Sequence, residues 1–270
     1  APLMSPDALV EVSAIAAKDI SSRQYVLPTG WPRPREPFSY AVLAGDTLFL
    51  SGIQPVDPGT GALAVPSIES HTERVLTTQE ELLKAVGMSF GDLVFTRIYL
   101  ADPATYSGLN EVYRRFVTAV PPARATVNAS PTVPGAMLQI QSVAVKGSGR
   151  DRPSGEGHTS PIHSFSVRAG SRLFITGMTG RAPDGRFAVN DIAAQTRQAL
   201  LTIEEQLTRH GMTFADVVDS VVWLRDPRDF EAMNEVYRTM VKPDPPARAT
   251  VRIPPSSGQA LIEIMMVADR

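Results

Sequence analysis

Seven consecutive residues, Pro121-Pro122-Ala123-Arg124-Ala125-Thr126-Val127, recur unchanged as Pro245-Pro246-Ala247-Arg248-Ala249-Thr250-Val251. A repeat of that length in one chain points to a duplicated domain. It also indicates what was duplicated. Proline has no N–H to give to a ladder, so a Pro-Pro pair suits the start of a strand. Beyond it Ala247, Ala249, Val251 and Ile253 share one strand face, and Arg248, Thr250 and Arg252 share the other. An apolar face packs on a core, so each copy projects an arginine from a sheet with a hydroxyl beside it.

The repeat extends well beyond these residues. Gly170 answers Gly45, Thr176-Gly177 answers Ser51-Gly52, and Gly211-Met212-Thr213-Phe214 answers Gly87-Met88-Ser89-Phe90. Asn234-Glu235-Val236-Tyr237-Arg238 repeats residues 110–114, and Asp226-Pro227 repeats Asp102-Pro103. The offset is 125 at the first glycines (177 − 52) and 124 from the first helix onward (234 − 110), so one residue was lost in a loop. Within a copy, a hairpin about Ala44-Gly45-Asp46 leads to a helix carrying Ile68, Thr72, Val75, Leu76 and Leu83 at helical spacing. A strand over 93–100, a second helix with Leu109, Tyr113 and Phe116, the arginine strand and a last strand over 136–145 complete it. Each copy reads ββαβαββ, an α+β layer with both helices on one sheet face. The expected division is an N-terminal Pro-rich arm (1–36), repeat 1 (37–146), a Gly/Ser linker (147–160) and repeat 2 (161–270).

Composition excludes several functions. Without cysteine there is no disulfide, thiol nucleophile or cysteine metal site. The four histidines, His71, His158, His163 and His210, have no metal-ligand spacing, so no metal is expected. A net charge of −2 from 26 basic and 28 acidic residues supplies no field to draw nucleic acid or an anionic membrane. No apolar run approaches the roughly 18–20 residues a membrane span needs. Nothing resembles a signal peptide, which gives a cytoplasmic expectation, although the start at Ala1 leaves a removed segment open.

The last strand of repeat 2 is apolar on both faces, with Ile262, Ile264 and Met266 on one and Leu261, Met265 and Val267 on the other. Glu263 shares that second face. A buried, unpaired carboxylate protonates or finds a cation. An arginine on a neighbouring strand is the expected partner.

Ser51-Gly52, Asn110-x-x-Tyr113, Pro122-Ala123-Arg124 and the final strand, with Thr176-Gly177, Asn234-x-x-Tyr237, Pro246-Ala247-Arg248 and Ile262-Glu263-Ile264, resemble the Rid family of reactive enamine/imine deaminases. The resemblance covers about residues 37–146 and 161–270. It implies chorismate-mutase-like packing, with sheets of three domains closing into a barrel, helices outside and sites in clefts between domains. It also implies a homo-oligomer, most simply a homotrimer, because two domains cannot close such a barrel. In the family the arginine grips a substrate carboxylate and the glutamate holds or activates water. Carried over, Arg248 and Glu263 become the catalytic pair and Arg124 the matching arginine of repeat 1. Substrate-contacting hydroxyls fall on Ser51 and Thr176, the helix asparagine on Asn110 and Asn234, and the first-strand aromatic on Phe38 and His163. A frequent cysteine becomes Thr126 and Thr250. Repeat 1 departs from the pattern at Gln139, which can hold water but cannot take its proton. Phe38 likewise lacks a hydroxyl. The resemblance implies cofactor-free hydrolysis of a carboxylate-bearing enamine or 2-imino acid to a carbonyl compound and ammonia. A tautomerase, cyclase or lyase on the same scaffold, and a non-catalytic ligand-binding module, remain open beside it.

Overall fold

The computed structural model describes residues 7, 10–16, 23–118, 120–147, 160–242 and 244–270. Most of the expected linker, 148–159, lies outside the described residues, as do positions 1–6, 8, 9 and 17–22 of the expected arm.

The arm supplies β1 (Arg23–Val26). Repeat 1 follows as β2 (Ala41–Ala44), β3 (Thr47–Ile53), α1 (Ile68–Lys84), β4 (Leu93–Leu100), α2 (Tyr106–Phe116), β5 (Ala123–Asn128) and β6 (Leu138–Val145). Repeat 2 is β7 (Ser166–Ala169), β8 (Arg172–Thr179), α3 (Ile192–Arg209), β9 (Val217–Leu224), α4 (Phe230–Met240), β10 (Ala247–Arg252) and β11 (Ile262–Asp269). Both copies are therefore ββαβαββ, as the duplicated pattern predicts. Gly45 and Gly170 each take φ +62 in the hairpin turns, a left-handed conformation that a side chain disfavours. The long helices start on side-chain caps: Ser67 accepts from Ser70 N–H, and Asp191 accepts from Ala194 N–H.

The sheets run β1-β2-β3-β6-β4-β5 and β10-β9-β11-β8-β7. The arginine strands β5 and β10 pair in parallel with β4 and β9 at sheet edges, whereas β6 and β11 lie inside, antiparallel to both neighbours. β10 is thus separated from β11 by β9. The neighbouring-strand partnership expected between Arg248 and Glu263 does not form, because Arg248 registers with Ser220 and Glu263 with Trp223, three residues along.

Each repeat has a helix-on-sheet core, with Leu76, Leu83, Leu109, Tyr113 and Ile140 in the first and Leu200, Leu207, Tyr237, Ile264 and Met266 in the second. A third core joins the repeats. Phe95, Ala123, Ala125, Val127 and Val143 of repeat 1 pack with Phe174, Val221, Trp223 and Met265 of repeat 2. The sheet faces turned away from the helices are therefore buried against each other. This accounts for the apolar residues on both faces of β11. Among the described residues no helix is long and apolar enough to cross a membrane.

Candidate active site

The alternation of β5 places Ala123, Ala125 and Val127 in the inter-repeat core, so Arg124 and Thr126 face the helix side of their sheet. As an edge strand, β5 also has free backbone groups to satisfy. Repeat 2 satisfies two of them at Arg124: its N–H donates to Thr176 Oγ1 (2.9 Å), and the same hydroxyl donates back to its carbonyl. Thr126 N–H donates to the Glu263 carboxyl. Glu263 reaches that edge by lying across Gly177, where a β-carbon would meet Glu263 Oε1 at 2.0 Å and the Ala125 methyl at 2.9 Å. Only glycine leaves room for that crossing.

The Arg124 side chain is 5 % exposed. Its Nε donates to Thr126 Oγ1 (3.0 Å), and its guanidinium lies over the rings of Tyr113 (4.7 Å) and Tyr106 (5.7 Å). Both terminal nitrogens are buried and have no hydrogen-bond partner. Such a fork has the geometry to receive a carboxylate through two parallel bonds. Glu263 is equally buried, and burial pushes its carboxyl up to about 8, against the lowering pull of Thr126 N–H and the Arg124 charge. Burial likewise draws Arg124 below its ordinary value, opposed by Tyr106, Tyr113 and Glu263. At neutral pH the cleft holds a guanidinium facing an uncharged carboxyl group.

Arg124, Thr126, Tyr106, His163, Thr176, Gly177 and Glu263 line one cleft of about 710 Å³ between the repeats. His163 stands at its wall, with Nδ1 2.9 Å from Ser160 Oγ and its ring edge-on to Phe165 at 6.1 Å. The structure thus brings together five of the residues nominated from sequence: Arg124, Thr126, Thr176, His163 and Glu263. It replaces Arg248 by Arg124 as the arginine facing Glu263.

Arg248 lies elsewhere. Its Nη2 donates to Asn234 Oδ1 (2.8 Å), its guanidinium sits over Tyr237 at 4.7 Å, and the Thr250 hydroxyl beside it is buried without a partner. Those three nominated residues form a group of their own on β10 and α4. Asn110, its counterpart on α2, is buried with Oδ1 unpartnered. Ser51, Phe38 and Gln139 line a second cleft, about 870 Å³, together with Arg33 and Arg35 of the arm. Here Gln139 lies across Gly52 as Glu263 lies across Gly177, and Ser51 Oγ donates to Ser39 C=O. No strand arginine lines this cleft.

Tyr106 is not singled out from the sequence, and Tyr113 is named on a core stripe and in the family motif without its place under the Arg124 guanidinium. Their signal was spacing: both sit on the α2 face that crosses the edge strand. Among the described residues no group of three or more His, Asp or Glu side chains gathers as a metal site would.

The family described as Endoribonuclease L-PSP matches the chain twice, over residues 30–146 and 158–269. A RutC family protein of Sulfurisphaera tokodaii is 34% identical over 43% of this chain and 93% of its own length. The 3-aminoacrylate deaminase RutC of Acinetobacter baylyi is 34% identical over 45% of this chain and 97% of its own. The human 2-iminobutanoate/2-iminopropanoate deaminase is 32% identical over 41% and 81%. The crystal structure of RidA from an Antarctic Psychrobacter, 28% identical, covers 45% of this chain and 98% of its own with a TM-score of 0.42.

Proposed function

The chain belongs to the endoribonuclease L-PSP family as a tandem Rid protein, and from that premise we propose that its inter-repeat cleft hydrolyses a carboxylate-bearing imine or enamine. The relatives named as imine and aminoacrylate deaminases support this reaction class. The observation that carries the proposal is the buried guanidinium of Arg124, with both terminal nitrogens unpartnered, on a residue that lines the same cleft as Glu263.

Arg124 binds the substrate carboxylate at a fixed orientation. Because Glu263 is neutral at pH 7, it does not repel that anion and has a proton to give. It protonates the imine nitrogen, and the iminium carbon becomes the electrophile. Water adds there while the Glu263 carboxylate accepts its proton, forming a carbinolamine. Proton transfer to the amine and cleavage of the C–N bond release ammonia and the carbonyl compound. One water is consumed and no electrons change hands.

Thr176 and Thr126 act as positioning residues, holding the β5 edge and the Arg124 side chain. The repeat 1 cleft has no carboxyl at the corresponding place, so Gln139 there can orient water without relaying a proton.

A second proposal concerns assembly. β10 repeats the sequence of β5 yet remains largely accessible, and the repeat 1 cleft lacks the strand arginine that β5 gives to repeat 2. A second copy seating its β10 beside β3 would supply Arg248 to Gln139, giving a homo-oligomer. The homotrimer expectation is tested by solution mass, which would be three times 29.1 kDa.

The decisive test of the reaction is ammonia release from enzymatically generated 2-imino acids. Wild type accelerates it and Arg124→Ala and Glu263→Gln abolish the acceleration. A wild type inert toward small and aromatic 2-imino acids overturns the reading.

A further inference from the structure

Among the differences between the loops after β8 and β3, one puts an arginine on the wall of the inter-repeat cleft. Arg181 stands where repeat 1 has Val56, at the offset of 125 that relates Gly177 to Gly52. Both residues open equivalent loops, closed by the bridges Arg181↔Phe187 and Val56↔Leu63. The repeat 2 loop is tightly tied. Ala182 N–H donates to Arg186 C=O (2.8 Å) and Gly185 N–H donates to Ala182 C=O (2.9 Å). At its base the buried Gln195 amide donates to Ala188 C=O (2.8 Å), and its Oε1 accepts from Leu261 N–H (2.8 Å), next to the Glu263 strand. The Arg181 guanidinium rests over the Phe187 ring at 5.1 Å. Stacking holds the plane of the group while leaving its N–H edge available.

Charge in the cleft is unbalanced. Three arginines line it: Arg124, Arg181 and Arg209. Arg209 is held by Glu205 at 2.6 Å. The acid nearest in sequence to Arg181, Asp184, is turned to Arg186 at 4.0 Å. Neither Arg124 nor Arg181 has an ion-pair partner among the described residues. With about 710 Å³ available, the cleft is far larger than a three-carbon imino acid.

We propose that the cleft takes a dianionic substrate, the imine or enamine of a dicarboxylic amino acid, with Arg124 binding the carboxylate beside the reacting carbon and Arg181 the distal one. This inference rests on the deaminase reading of the same cleft and narrows it to a substrate class. Arg181 touches the far end of the substrate and not the reacting atoms, so it is a specificity residue.

The test compares kcat/KM for imines generated in situ by an amino-acid oxidase from glutamate or aspartate with those from alanine or 2-aminobutyrate. Wild type is expected to favour a dicarboxylic imine by at least about tenfold, and Arg181→Val, the repeat 1 residue, to reduce that ratio by about 10- to 100-fold. The loss falls mainly in KM. Arg181→Lys restores part of it, since it keeps the charge and loses the fork. Turnover of the monocarboxylic imines with no dicarboxylic preference, or an unchanged ratio in Arg181→Val, overturns the inference while the deaminase reading stands. Failure of wild type on every imine overturns the deaminase reading instead. Calorimetry with glutarate and butyrate then decides the anion site alone: an Arg181-dependent preference for glutarate supports it, and equal binding refutes it.

Discussion

β5 and β10 carry the same six residues up to the last, yet the molecule treats them as different parts. β5 is covered by repeat 2, and its arginine is buried with an idle fork facing a protonated glutamate. β10 has no such cover, and its arginine spends one nitrogen on Asn234. The clefts repeat the lesson. Glu263 and Gln139 occupy matching positions, each laid across a glycine, but among the described residues only the Glu263 cleft is lined by a strand arginine. Identical local sequence therefore ends in different surroundings, set by whether the neighbouring repeat covers the strand.

The sharpest way to break this comparison is at the two side chains that differ. Glu263→Gln turns the repeat 2 cleft into a copy of repeat 1, and turnover should fall by about 10²- to 10⁴-fold, the range of a lost acid–base group. Activity retained in that variant, measured as ammonia release, would mean that Glu263 relays no proton.

Next in size comes the choice of arginine. Arg124→Lys keeps the charge but loses the bidentate fork, and about a 10²-fold fall in kcat/KM is expected. The same change at Arg248 should have an effect at least about tenfold smaller, because no Glu faces it. Equal losses would erase the distinction between the strands.

The crossing glycines can be compared directly. Gly177→Ala forces a β-carbon against Glu263 Oε1 and the Ala125 methyl, so the carboxyl must move. Overpacking of this kind costs about 1–3 kcal/mol, and about a tenfold loss of activity should accompany it. Gly52→Ala, which meets Gln139 Nε2 at 2.1 Å, should lose similar stability with less effect on turnover. Thermal denaturation beside kinetics separates the two.

A separate effect is on stability against pH. The folded pKa of Glu263 is raised from its model-peptide value of 4.5 to about 8, so between those values the native state holds a proton that the unfolded chain releases. Stability from this group is therefore full below about pH 4.5 and is lost as pH rises toward about 8. Glu263→Gln removes that dependence. Its Tm relative to wild type should climb between about pH 5 and pH 8, by about 2–4 °C per kcal/mol. A gap that is flat or closes with pH would show that Glu263 is already ionised in the folded protein. Activity should fall over the same upper range as Glu263 loses the proton it donates.

Much of this was written in the chain. The seven repeated residues and the glycines and asparagines in register with them set two ββαβαββ units, because turn residues and strand alternation act over a few neighbours. The apolar residues on both faces of β11 announced a strand covered on both sides, and Glu263 stood out as a charge needing company. Gln139 set the two clefts apart for the same local reason: an amide cannot relay a proton.

The pairing was a different matter. Arg248 lies in the same repeat as Glu263, and sequence proximity made it the natural partner. In the sheet β9 stands between their strands, while β5 belongs to the other repeat.

 Glu263 follows Arg248 by 15 residues (263 − 248) and Arg124 by 139 (263 − 124), yet it faces the distant one. Local pattern decides what each repeat is, since hydrogen bonding and alternation are short-ranged. Which arginine meets the glutamate depends on two sheet faces burying each other, a long-range contact that twin copies of one motif cannot distinguish. Only the tertiary structure, by setting the apolar back of β5 against repeat 2, chose Arg124.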